Sequence, residues 1–246
     1  MRRLAGLIAC LLLCSMPAWA AVAHVQTSVT KEGSGDNNLT TAAMTVTAGS
    51  LLIVSANTWT GAGAFAVSSV QLDGATDFTH DQTAASGTYN RVELWSLANV
   101  AGGSHTVTVT WAGGAPYKTV YLTEVSGAAT SLPQDGAGAT ATGSGTSPST
   151  GSFSATGTSF WIVAVGLGGT TFTAGAGWTI PTNGSETDNL GTAIEYQANP
   201  GTSPLTGDFT TATESWGIIG MAYKVAPGAG AAGTGGRRFR RPGRVI

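Results

Sequence analysis

Leu51-Leu52-Ile53-Val54-Ser55-Ala56 and Phe160-Trp161-Ile162-Val163-Ala164-Val165 decide the fold. Each is apolar on both alternating faces, the pattern of a central strand buried on either side. Around them the chain alternates more clearly. Arg91 to Leu97 and His105 to Trp111 each place every second residue on one face, and Asn99 to Ser104 is a turn cluster between them. Val67 to Leu72, the turn Asp73-Gly74 and Ala75 to His80 read as a β-hairpin, because that dipeptide favours the positive φ of a tight two-residue turn. Lys118 to Val125 and Ser215 to Val225 complete the clear strands. Gln134 to Gly151 is low in complexity and is predicted to hold one weak edge strand between loops. No segment carries a helical period.

Composition points the same way. Of 246 residues only 10% are charged, while 42% are hydrophobic and 36 are glycine. Long solvated helices and coiled coils need Glu and Lys on their wet faces, so both are excluded. Glycine without a three-residue period excludes collagen, and the even spread of apolar residues excludes wholesale disorder.

Residues 1–20 have the layout of a secretory signal peptide: basic Arg2-Arg3, an apolar run to Met16, and Ala18-Trp19-Ala20 as the cleavage site. Both cysteines, Cys10 and Cys14, lie inside it, so the processed chain is expected to hold no disulfide, thiolate metal site or cysteine nucleophile. Residues 21–226 form the predicted β-sandwich body, 227–236 a Gly/Ala linker, and 237–246 a basic disordered tail. Between Lys31 and Val225 four basic residues face thirteen acidic ones, a net charge of −9. Such a body repels phosphate and is not expected to bind nucleic acid specifically. The tail, with Arg237, Arg238, Arg240, Arg241 and Arg244, is the expected contact for an anionic surface.

An internal echo recurs at about one hundred residues. Gly49-Ser50-Leu51-Leu52-Ile53-Val54 matches Thr158-Ser159-Phe160-Trp161-Ile162-Val163. Val92-Glu93-Leu94-Trp95 matches Ala193-Ile194-Glu195-Tyr196 with the acid shifted by one place. The expected fold is therefore an all-β, antiparallel, jelly-roll-like sandwich with two roughly repeated halves; two immunoglobulin-like modules are the alternative.

The runs Val70 to Ala75, Val92 to Val100, His105 to Val109, Glu124 to Gly127 and Trp216 to Lys224 resemble a loosely defined class of β-sandwich modules in secreted bacterial proteins and phage tail or fibre proteins. The resemblance spans roughly residues 27 to 226, and its motifs build a fold without supplying catalytic residues. The signal peptide departs from the phage members, which assemble in the cytoplasm.

Signals of catalysis are weak. The strand motif Glu-x-Asp-x-x-Glu of sandwich glycosidases and a Gly-x-Ser-x-Gly elbow are both absent. Glu93, Glu124, Glu195 and Glu214 fall singly on separate strands and are expected as isolated acids on wet faces. Asp73, Asp77 and Asp81 beside His80 have a metal-like spacing, but a four-residue period on strands does not build a tight cage, and His24 and His105 lack a partner at ligand spacing. No metal or cofactor is predicted. Aromatic rings offer a better signal, since sugars stack on exposed indoles and phenols. The candidates are Trp59 in a Gly-rich loop, Trp95 on a face with Arg91 and Glu93, Trp111 with Tyr117, and Trp178 near Tyr196. The expected function is that of a secreted, non-catalytic sandwich acting at a surface, by glycan binding or by extracellular assembly and adhesion. A glycan-degrading enzyme of the same fold and a phage-type structural fibre or tail subunit are the alternatives.

Overall fold

The computed structural model describes residues 21–59, 65–87, 90–167, 171–188, 190–200 and 203–227. The basic tail, the signal segment and most of the linker lie outside them. The first half contains β1 (Ala23–Glu32), β2 (Asn38–Thr40), β3 (Met44–Val46), β4 (Ser50–Trp59), β5 (Val67–Leu72), β6 (Thr76–Asp77), β7 (Thr79–Ser86), β8 (Asn90–Val100), β9 (Gly103–His105), β10 (Val107–Trp111) and β11 (Tyr117–Ser126). The second contains β12 (Ala139–Gly145), β13 (Ser149–Phe153), β14 (Ser159–Leu167), β15 (Phe172–Ala174), β16 (Ser185–Glu186), β17 (Gly191–Ala198), β18 (Leu205–Thr211) and β19 (Glu214–Lys224).

The halves share one topology. A large antiparallel sheet of order β1-β11-β4-β8-β7 is covered by a small one of order β2-β10-β5-β6, with the β3-β9 pair beside it. In the second half β12-β19-β14-β17-β16 is covered by β13-β18-β15. Element for element β4 corresponds to β14, β8 to β17 and β11 to β19, each in the same place in its sheet. The protein is thus all-β and antiparallel, in two sandwich-like halves.

The two large sheets pack against each other. Leu51, Ile53, Val92, Leu94 and Tyr121 from one meet Phe160, Ile162, Ile194, Ile219 and Met221 from the other in a single buried cluster. On the outer face of the first, Leu52, Val54 and Leu122 meet Val70, Val107 and Trp111 of its small sheet. Trp161, Val163 and Val165 do the same with Phe153 and Phe209 in the second half. β4 and β14 therefore have a core on each face, which is why their sequences are apolar without alternation.

The β7 flank of the first half faces β12 and β19, while β1 faces β17. Exchanging the halves maps one flank onto the other, so they are related by an approximate twofold axis. Register fixes the equivalences. Ile53 pairs with Ser96 and Ile162 with Tyr196, so Ser96 corresponds to Tyr196. Glu93 pairs with Ala56 and Glu195 with Val163. Since Val54, not Ala56, corresponds to Val163, Glu195 takes the place of Trp95. The acid is therefore shifted by two positions, not one. Two is the shift a pleat allows, because it keeps the carboxylate on the same face.

The Asp73-Gly74 turn forms as expected, with φ of 50° and 70°. Its second arm is shorter than predicted. Only Thr76–Asp77 pairs with β5; Phe78 then plugs the outer core, and the chain crosses to the large sheet as β7. The segment Gln134 to Gly151, expected to hold one weak edge strand, holds β12, an uncharged edge strand paired only with β19, and also the start of β13.

Candidate functional site

The structure separates the candidate aromatic residues by the face each occupies. Trp111 and Trp178 are buried, at 2% and 8% exposure. Trp111 lies in the outer core of the first half with the Lys118 ammonium 5.8 Å from its ring. The Trp178 indole N–H donates to the Thr206 carbonyl at 3.0 Å. Neither ring presents a face to a sugar. Trp111 is also parted from Tyr117, which lies on the opposite face of the large sheet.

Arg91, Glu93 and Trp95 do come together, on the outer face of β8 next to His80. Glu93 is buried there and accepts from the Val67 amide at 3.0 Å, from the Trp95 indole at 3.2 Å and from Arg91. His80 packs edge-on against Trp95 at 4.8 Å and bonds Thr83 Oγ1 at 2.8 Å. The carboxylate ties the start of β5 to the large sheet. Three donors engage it, which suits a strand anchor.

The expectation of acids on wet faces is overturned for Glu93, Glu124 and Glu195, all buried; Glu214 is exposed. Glu124 accepts from the Thr47 amide and Ser50 Oγ, both at 2.8 Å, and from Gln26. Burial opposes its charge, but these donors outweigh that and hold its pKa below the ordinary range. The second half repeats the arrangement with a different acid. Asp135 accepts from the Thr156 amide at 3.0 Å and from Ser159 Oγ at 2.6 Å, and its pKa is lowered in the same way against burial. The spacings Thr47-x-x-Ser50 and Thr156-x-x-Ser159 are the sequence trace of this motif. Buried carboxylates persist because each meets several donors from backbone and hydroxyl groups. The metal-like aspartates scatter: Asp73 caps the Thr106 amide, Asp77 bonds Gln71, and Asp81 bonds Tyr223, Gln134 and Ser96.

Two recesses lie in the seam where β1 meets the second half. The first, of about 240 Å³, is lined by Lys31, Glu32, Tyr117, Thr119, Asp188 and Leu190 among others. Tyr117 is the aromatic lining residue, and its ring is backed by Trp59, against which it tilts at 5.4 Å. Lys31 reaches across the seam to Glu186 at 2.9 Å and Asp188 at 2.7 Å. Thr119 is 1% exposed, and its hydroxyl has no hydrogen-bond partner among the described residues; nor has the Oδ1 of Asn57, its neighbour across the ladder. Beside a recess, a buried polar atom left this way can be completed by a ligand or water.

The second recess, of about 600 Å³, is lined by His24 to Thr27, Thr179 to Asn183 and Tyr196. His24 stacks on Tyr196 at 4.5 Å and 17°, and Tyr196 stacks on buried Phe160 at 5.5 Å and 16°. His24 Nε2 bonds Thr27 Oγ1 at 2.9 Å. Burial lowers the His24 pKa, which keeps the imidazole neutral at pH 7. Sequence reading missed this pair, because the two residues lie far apart in the chain and only the packing of the large sheets joins them.

Comparison with family models, curated proteins and solved structures yields no match. The all-β antiparallel architecture that the resemblance implied is present; functional assignment rests on the geometry of the site.

Proposed function

We propose that this chain is an exported, non-catalytic sandwich that binds glycan at a surface through the recess beside Trp59 and Tyr117. The observation that carries the reading is the combination of the Tyr117 ring, backed by Trp59, with the unpartnered Thr119 hydroxyl in one recess. A ring wall with a few convergent polar groups is how proteins hold a sugar, apolar C–H faces on the rings and hydroxyls on the polar atoms. Export rests on the segment 1–20, and no cofactor or metal enters the reading. A class of secreted or phage-type surface modules is consistent with it.

Tyr117→Ala is expected to weaken glycan binding by about tenfold, or about 1.4 kcal/mol, while the fold is kept, since the ring stands at the end of a strand. A glycan array on the processed protein, followed by calorimetry on the variant, tests this. A silent array overturns the function; an array positive for wild type and unchanged in the variant moves the site.

The basic tail adds a second, electrostatic contact in this reading. Deleting residues 227–246 is expected to abolish retention on anionic vesicles at low salt and leave glycan binding intact. Retention by wild type should fall steeply as salt rises, because neutralised anionic groups release counterions. Retention that survives deletion, or that ignores salt, rejects this role of the tail.

An assembly reading is favoured by one observation, the uncharged β12 edge. Bare edge strands without Lys or Pro pair readily with neighbours.

A further inference from the structure

We infer that the β1 flank binds an extended, uncharged polysaccharide chain, engaging it at the Tyr117 and Tyr196 recesses together. This rests on the glycan reading and deepens it.

The two recesses lie at opposite ends of one strand. His24, Thr27 and Lys31 belong to the same face of β1, kept in phase by the bulge between His24 and Gln26. His24 lines one recess and Lys31 the other, roughly 20 Å apart at the rise of an extended strand. The opposite wall is continuous in sequence, from Thr179 to Asn183 at one end and through Glu186 to Asp188 at the other. A ligand filling both must therefore be long.

The approximate twofold axis makes the selectivity of this flank visible. Gln134 pairs with Tyr223 as His24 pairs with Val125, and Tyr223 and Val125 are equivalent, so Gln134 stands where His24 stands. Ser96 stands where Tyr196 stands. On that second flank the pair is tied shut: Gln134 donates to Ser96 Oγ at 3.1 Å and to Asp81, which Tyr223 also bonds. The recess left there is about 190 Å³ against about 600 Å³ on the β1 flank. One topology has thus been closed by a polar network on one side and opened, with stacked rings, on the other.

The chemistry favours sugar over peptide. The lining offers rings, hydroxyls and the amide of Asn183, and the Lys31 charge is balanced by Glu186 and Asp188. The Thr27 carbonyl near the middle of the β1 edge already accepts from Asn183 at 3.4 Å, which blocks continuous pairing with an added strand.

Calorimetry with β-1,4-glucan, β-1,3-glucan and α-1,4-glucan series, disaccharide to octasaccharide, tests the inference on the processed protein. In at least one series affinity should rise with length and then level off. Tyr196→Ala should weaken the longest ligand about tenfold and leave the disaccharide unchanged, whereas Tyr117→Ala should weaken every length. His24→Ala, which leaves the Tyr196 ring on Phe160, serves if the tyrosine variant fails to fold. Equal affinity at all lengths, or a length dependence untouched by both His24→Ala and Tyr196→Ala, overturns the extended chain and leaves the glycan reading standing. Silence in all three series overturns the extended chain, and the glycan reading falls with it only if the glycan array is silent as well. Capture of a Val-Thr repeat peptide without oligosaccharide binding assigns the edge to peptide and overturns the extended chain too.

Discussion

Trp161→Ala is expected to destabilise the protein by about 3–5 kcal/mol, the largest effect of any single truncation considered. Trp161 is 1% exposed in β14, in the outer core of the second half. Its ring meets Phe153 at 4.8 Å. Removing it leaves a cavity between two sheets whose backbone ladders cannot close over the gap. For a domain of this size such a loss lowers the melting temperature by roughly 10 °C or more. Trp161→Phe separates volume from polarity. The indole N–H is buried without a partner among the described residues, so exchanging the indole for a phenyl ring sheds an unsatisfied donor as well as volume. The phenylalanine variant should therefore lose much less stability than the alanine variant. Equal melts for wild type and Trp161→Ala would remove this side chain from the core.

The second large effect is a pH dependence set by Glu195. Burial pushes its carboxyl up to about 8, against the pull of the Gly175 and Asp208 amides that donate to it. A carboxyl whose folded pKa lies above its unfolded value keeps a proton that the unfolded chain has released. Folding stability therefore falls as pH rises from the ordinary glutamate range to about 8, and is flat beyond. The full difference is at most about 4–5 kcal/mol. Glu195→Gln removes the proton from the equilibrium while an amide oxygen can still accept from the two N–H groups. Its denaturant midpoint should be less sensitive to pH between 5 and 8 and should exceed that of wild type at pH 9. A residual slope of the same sign is expected from Asp81, whose pKa burial also raises. Parallel profiles for wild type and Glu195→Gln would contradict the assignment.

Glu195 also shows how far sequence reading reaches. The echo placed it on a strand of the second half, yet its burial was not legible. An acid alternating with apolar residues looks the same whether its face meets water or a covering sheet. Only the small sheet, brought over β17 by the long-range pairing of β13, β15 and β18, decides that the carboxylate is dry. The same holds for Glu93 under β5 and for Glu124 against the Thr47 turn. Trp111 and Trp178 fail as sugar platforms for a related reason: an aromatic residue in an alternating or Gly-rich stretch does not say which face will be roofed.

What the sequence determined by itself is what depends on neighbours along the chain. The doubly apolar runs at Leu51 and Phe160 required strands covered on both sides, Asp73-Gly74 required a tight turn, and the echo near one hundred residues required two similar halves. Those follow from the two-residue period of the strand and the φ preferences of turn residues, which are local. The tertiary structure decided what depends on pairs distant in the chain. It set the large sheets back to back about an approximate twofold axis and brought His24 onto Tyr196. It also left the β1 flank open where Gln134 and Ser96 close the other. Contacts of that kind come from the shape in which two faces meet, and a pattern read along a single strand does not encode that shape.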